Sequence, residues 1–218
     1  MSWQISQTDP WLEARFAQPM ECLGWTPQHG GQVVADRVLW RAVRDHDLTP
    51  ELDVLPWLAG ETAGQGASHA PCFLTARHLR HYTTAEATVE GITARALATA
   101  GLGNAEHIGA RLRPDAKIGT INLLVMLNHP LEFAAKLEAL SLMAEARTLA
   151  MVEKAIPLPT GLATGTGTDC LCLASPPSSG RLAFAGKHTA LGEAVGRAAR
   201  DALRQAITAW EPAPWPAA

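Results

Sequence analysis

No stretch of this sequence reaches about 18 uninterrupted apolar residues, so no membrane-spanning helix is expected. Excess basic charge is also lacking. Eighteen Lys and Arg stand against 21 Asp and Glu, a net charge of -3, and the pI is near 6.2. That excludes the positive field needed to attract nucleic acid or an anionic lipid surface. Cysteine is scarce. Cys22, Cys72, Cys170 and Cys172 form no C-x-x-C pair, so they read as reduced thiols in a cytoplasmic protein. The N-terminal stretch carries Asp9 and Glu13 without an apolar core segment, so it does not read as a secretory signal. There is no internal repeat.

What remains is a chain of 218 residues, 47% hydrophobic and only 18% charged, with alanine at many apolar positions. Such a length buries roughly 70% of its unfolded surface without disulfides or metal. It reads as a single domain over residues 1–210. Residues 211–218, EPAPWPAA, form a loose tail that cannot continue a helix.

Residues 1–25 alternate as one or two strands, and 32–43 gives mixed strand and helix signals. Thr49 and Pro50 predict a helix from about 50 to 59, capped by Thr49. Residues 60–71 then read as a flexible loop or lid. Strands are expected at 72–77, 92–100, 117–127 and 170–174. In the third, Ile121, Leu123, Val125 and Leu127 share a core face, while Thr120 and Asn122 share the other, a polar pair facing solvent or a ligand. A long helix is predicted from 128–130 to about 154, capped by Asn128 or His129, with a break near Ser141. A strongly amphipathic helix follows over 190–210. Short turns between strands suit antiparallel pairing, so the fold class is α+β, a mainly antiparallel or mixed sheet packed with long helices.

Two Gly-rich turns concentrate the polar chemistry. The first, 163–169, supplies Gly165, Thr166, Gly167, Thr168 and Asp169. The second, 185–189, supplies Gly186, Lys187, His188 and Thr189 ahead of the last helix. Hydroxyls, a carboxylate, an ammonium and an imidazole are the groups that acyl transfer requires. The second turn imitates a phosphate loop and fails it: Gly180 lies six residues before Gly186 where five are needed, and His188 stands where Ser or Thr belongs. Its helix N-terminus still suits an anion or oxyanion, or plain capping by Thr189. Cys170 and Cys172, among leucines, read as small buried hydrophobes. His78 and His81 are spaced for a metal, but no nearby carboxylate completes a set.

Five segments stand in order: TAGLGNA (99–105), GTIN (119–122), AEARTLA (144–150), ATGTGTD (163–169) and AGKHTALGEAVG (185–196). Together they resemble the adenosylcobinamide amidohydrolase family, over about residues 30 to 203. The resemblance implies a corrinoid-salvage enzyme. It would hydrolyse the amide joining the corrin side chain to aminopropanol in adenosylcobinamide, giving adenosylcobyric acid and 1-aminopropan-2-ol. Cys170 stands where the family usually has Ala, His29 where Asn is expected, and Arg147 where Lys is common, so charge alone is what that last position keeps.

On this reading Asp169 and His188 handle protons. Lys187 and the 186–189 backbone hold the oxyanion, and Thr166 or Thr168 positions water or acts as nucleophile. Asn104, Thr120, Asn122, Glu145, Gly165, Gly167, Gly186, Thr189 and Glu193 line the pocket, while Trp57, Phe73 and Leu74 cover the corrinoid. No protein-bound metal and no cofactor is expected, because cobalt enters only within the substrate. The partner is the corrinoid itself, with neither nucleic acid nor membrane involved, and a homo-oligomer stays open. Competing readings are a non-catalytic corrinoid-binding protein, a phosphoryl-transfer enzyme, and an amidohydrolase acting on complete cobamides.

Overall fold

The computed structural model describes residues 2–44, 47–49, 51–112 and 119–211. All but the first residue of the expected 211–218 tail, and the first two residues of the expected 117–127 strand, lie outside them. In chain order the strands β1 (Trp3–Thr8), β2 (Trp11–Gly24) and β3 (Gly31–Ala42) come first, followed by helix α1 (Val54–Gly64). Next come β4 (Cys72–Thr75), β5 (Thr83–Val89), β6 (Ile92–Ala100), β7 (Ala105–Glu106) and β8 (Ile121–Leu127), then helix α2 (Phe133–Lys154). The last elements are the short strands β9 (Pro157–Leu158), β10 (Gly161–Leu162) and β11 (Gly165–Thr166), then β12 (Cys170–Ser175) and helix α3 (Ala190–Thr208).

Eight strands form one mixed sheet in the order β4-β3-β2-β12-β8-β6-β5, with β1 also on β2. The hairpins pair antiparallel as expected, whereas β12 runs parallel to β8 and β4 parallel to β3. β1 lies against residues 11–16 of β2 and β12 against residues 21–24, so the two follow each other along one edge of that long strand. The register of β2 against β3 shifts between Arg15 and Met20. Pro19 falls inside that irregularity, where a residue without an N–H can be accommodated.

Helices α2 and α3 cover one face. Ile121, Leu123, Val125 and Leu127 of β8 meet them there, with Ala94, Ala96, Ala98 and Ala100 of β6. Alanines on α3 (Ala194, Ala198, Ala199, Ala202) bring that helix close to the sheet, which accounts for the alanine-rich composition. The other face of β8 meets no solvent. Leu124 and Met126 join Leu97, Trp40 and Phe73 in a second core, because the sheet curls until β4 lies over β8. Asn122, fully buried, donates from Nδ2 to Leu74 O at 2.7 Å. The polar pair Thr120 and Asn122 is therefore interior, and a strand buried on both faces has no solvent side.

Three local expectations are corrected. Helix α1 starts at Val54, not near 50. Pro56 is the reason: proline is tolerated in a first turn but costs about 3 kcal/mol in a helix interior. The helix also takes in 60–64, shortening the supposed lid. α2 starts at Phe133 after Glu132 and runs unbroken past Ser141. Asn128 does not cap it. Its Oδ1 accepts from Thr93 N (2.7 Å) and its Nδ2 donates to Gly91 O (3.0 Å), pinning the β5–β6 hairpin.

Candidate active site

The turns at 101–107, 119–120 and 163–169 meet at the end of the sheet where β6 stops and β8 and β12 start. β7 and β11 hold two of them together: Gly165 pairs with Glu106 and Thr166 with Ala105. Gly167 N donates to Asn104 O at 3.2 Å.

Asp169 is the hub. Its carboxylate is 5% exposed and accepts from four donors. Ile121 N (3.1 Å) and the Thr166 hydroxyl meet Oδ1, while Thr166 N (3.0 Å) and Arg147 Nη1 meet Oδ2. A carboxylate has about four lone-pair sites, so this one is full. Gly165 makes the hub possible. A Cβ there would stand 2.5 Å from Asp169 Oδ2 and 2.8 Å from Arg147 Nη1, so the close approach this glycine permits is to the protein's own ion pair.

Around the hub the hydroxyls have distinct partners. Thr168 Oγ1 donates to Gly119 O (2.8 Å), with Asn104 Nδ2 3.5 Å away. Thr120 Oγ1 donates to Thr168 O (2.9 Å), and Asn122 Oδ1 lies 3.2 Å from it. Gly167 and Thr168 are exposed at the tip of the turn, and Asn104 is half-buried beneath them. Burial, and then the charge of Asp169, pushes the Cys170 thiol up to about 11, leaving it un-ionised near neutrality.

The second Gly-rich turn forms a separate group. Lys187 Nζ donates to Glu145 Oε1 at 2.5 Å, in a pair 65% and 56% exposed. Thr189 caps α3: its Oγ1 accepts from Gly192 N (2.9 Å) and donates to Gly186 O (2.8 Å). Glu193 pairs with Arg197 one turn on, and His188 is exposed. Glu145 and Arg147 lie on either side of the buried stripe Ala139, Met143, Ala146 and Ala150 of α2. Two residues turn a helix by about 200°, so the two side chains leave α2 on opposite flanks. The structure thus unites Asp169, Thr166, Thr168, Asn104, Thr120, Asn122, Gly165 and Gly167. Among the described residues, no hydrogen bond or ion pair joins Lys187, His188, Glu145, Gly186, Thr189 or Glu193 to that hub.

Arg147 belongs to the hub, although sequence reasoning noted it only as a position needing charge. Its signal was an arginine one residue beyond a buried alanine. Phe73 does not cover a ligand: it is fully buried, its ring 4.7 Å from that of Trp40. The Trp57 ring is taken up by the Arg41 guanidinium, 5.3 Å from its centroid. Among the described residues, no group of three His, Cys, Asp or Glu is placed to hold a metal ion, and no helix is long and apolar enough to cross a membrane.

A family model described as adenosylcobinamide amidohydrolase matches residues 2–214. An uncharacterized protein of Methanocaldococcus jannaschii, MJ1613, is 30% identical over 103 residues. That match takes in 46% of this chain, and the chain spans 40% of the length of that relative. Among solved structures, the PH0078 protein from Pyrococcus horikoshii shares 10% identity at a TM-score of 0.45, over 91% of this chain and 77% of that one. The L-aminopeptidase D-Ala-esterase/amidase from Ochrobactrum anthropi shares 10% identity at a TM-score of 0.43, over 96% and 83%.

Proposed function

The chain belongs to the adenosylcobinamide amidohydrolase family, and we propose that its Thr166–Asp169–Arg147 group hydrolyses the amide between the corrin side chain and aminopropanol in adenosylcobinamide. In this reading the products are adenosylcobyric acid and 1-aminopropan-2-ol, and the enzyme serves cobalamin salvage in the cytoplasm. The family is one of amidohydrolases, so the chain is a hydrolase.

One observation carries the residue assignment. Of the threonines in the hub, Thr166 has the hydroxyl that meets an ionisable group, Asp169 Oδ1. Thr168 and Thr120 donate to main-chain carbonyls, which cannot take a proton. In this reading Thr166 Oγ1 attacks the amide carbonyl carbon. Its proton passes through Asp169 Oδ1 to the amide nitrogen, the C–N bond breaks, and 1-aminopropan-2-ol departs. Water then hydrolyses the ester left on Thr166, releasing adenosylcobyric acid and returning the proton. Arg147 remains charged and holds the carboxylate in place. Asn104 Nδ2, beside the exposed tip, is positioned to donate to the developing oxyanion. Cobalt takes no part except as substrate.

Incubation of the purified protein with adenosylcobinamide, followed by mass spectrometry for both products, tests the activity. Thr166→Val is expected to lower turnover at least about 100-fold, and Thr168→Val to leave it within tenfold of the parent. Undiminished turnover in Thr166→Val overturns the assignment. Corrinoid binding without release of 1-aminopropan-2-ol would make the protein a carrier.

A further inference from the structure

Trp25 stands next to the hub and has no part in the chemistry above. It follows Gly24, the last residue of β2, where the strand crosses β12 so closely that a Cβ on Gly24 would lie 2.0 Å from Leu171 O. Trp25 N then donates to Leu171 O at 3.0 Å, and its indole Nε1 donates to Asp169 O at 2.8 Å. Both donors are thus tied to residues flanking Cys170, at the base of the turn that carries Thr166. Trp25 nevertheless remains 46% exposed. A tryptophan's one side-chain polar atom is its N–H, and here it is turned inward, so what solvent meets is aromatic carbon held at a fixed angle. Packing gives no reason for such a plate. A large flat ligand does, because an aromatic face with few rotamers binds such a surface at little entropic cost.

We propose that Trp25 is the platform on which the corrin macrocycle rests, a specificity-determining residue that seats the substrate over Thr166 without touching the scissile bond. This rests on the hydrolase reading above, and it takes the covering role that Trp57 and Phe73 were expected to fill. The bonds from Trp25 N to Leu171 O and from its indole to Asp169 O keep the plate beside the turn bearing the nucleophile.

Steady-state kinetics on adenosylcobinamide and equilibrium binding of adenosylcobyric acid, followed through the corrin absorbance, test it. The product lacks aminopropanol, so its affinity reports the corrinoid without the leaving group. Trp25→Ala is expected to raise both KM and the product Kd about tenfold, the scale of losing one aromatic stacking partner, with kcat within threefold. Trp25→Phe keeps a ring and loses the indole N–H, and is expected to stay within threefold on all three. Equal weakening by Phe and Ala would mean that the hydrogen bond to Asp169 matters and the stacking does not, which overturns the proposal. So would an unchanged Kd in Trp25→Ala while the parent enzyme turns over. Failure of the parent enzyme to release 1-aminopropan-2-ol strikes the hydrolase reading instead, and adenosylcobyric acid binding that weakens in Trp25→Ala would still support the platform.

Discussion

Replacing Asp169 by Asn retains shape and removes one acceptor. Of the two orientations open to the amide, one turns its NH2 toward Arg147 Nη1 and Thr166 N, setting three donors against each other. The other turns the NH2 toward Ile121 N and the Thr166 hydroxyl. The second is cheaper, since a hydroxyl can rotate to accept while a guanidinium cannot. It strands Ile121 N, at about 1–3 kcal/mol, and reduces the Arg147 contact from an ion pair to a charged donor on a neutral acceptor, about 1 kcal/mol more. The expected loss is about 3 kcal/mol, at the lower end for breaking a buried ion pair. In a domain of this size that lowers Tm by about 6–12 °C. The same rotation leaves the Thr166 hydroxyl accepting, with no base for its proton, so turnover is expected to fall together with stability. Differential scanning calorimetry alongside the product assay reads both. Adding Arg147→Met closes a cycle in which the double variant is less destabilised than the two single losses combined, because no uncompensated charge stays behind. A Tm within 2 °C of the parent, with turnover intact, would refute the whole account of the hub.

Glu21 sits on β2 beside Arg181 and Lys136, with bonds of 2.8 and 2.9 Å from the first and 2.5 Å from the second. Arg181 first, then Lys136, hold its carboxyl down at about 2, against 4.5 for an ordinary glutamate. A depressed carboxyl stabilises the fold above its unfolded value, so this contribution is full above pH about 4.5 and fades as pH falls toward 2. The full shift corresponds to about 3 kcal/mol, and solvent screening at a side chain 14% exposed reduces it to about 2. Glu21→Gln should flatten acid unfolding across that window in circular dichroism. Cys170 is expected to resist iodoacetamide at pH 7.5 and to react only as pH approaches 11, and Cys170→Ala should retain turnover; fast alkylation near neutrality would contradict the burial. Lys187→Ala removes a pair more than half exposed on both sides. Unfolding stability should change by less than about 1 kcal/mol and turnover should hold, whereas lost turnover would draw the start of α3 into the active site.

Much of this was legible because local rules and the fold agree. The core face of β8, the span of β6 and the amphipathic face of α3 were readable from spacing, and capping by Thr189 was one of two readings open there. The start of α1 was misread because the Thr49–Pro50 signal outweighed Pro56, although the latter fixes the register. Nor does any local rule announce that the far side of β8 is covered. That depends on β4, nearly fifty residues earlier, curling over Asn122. The hub was half visible. Threonines and aspartate sat in one motif, but Arg147 reaches them from the middle of α2, and a helix period cannot tell which polar flank meets another loop. The second Gly-rich turn resembled a partner for the first because both carry reactive side chains; their contacts on α2 are to different residues, Glu145 for Lys187 and Arg147 for Asp169.

The last of the described strands to be synthesised is also the central one. β12 enters between β2 and β8, which precede it by about 150 and 50 residues. Until it emerges from the ribosome, both neighbours carry naked edges able to capture other chains. Closing the sheet must await this distant pairing, so folding is expected to be slow for the chain's size. A chain released early, before residue 170, would be left open through its middle and prone to clump, whereas one stopped after β12 would keep the sheet whole without α3.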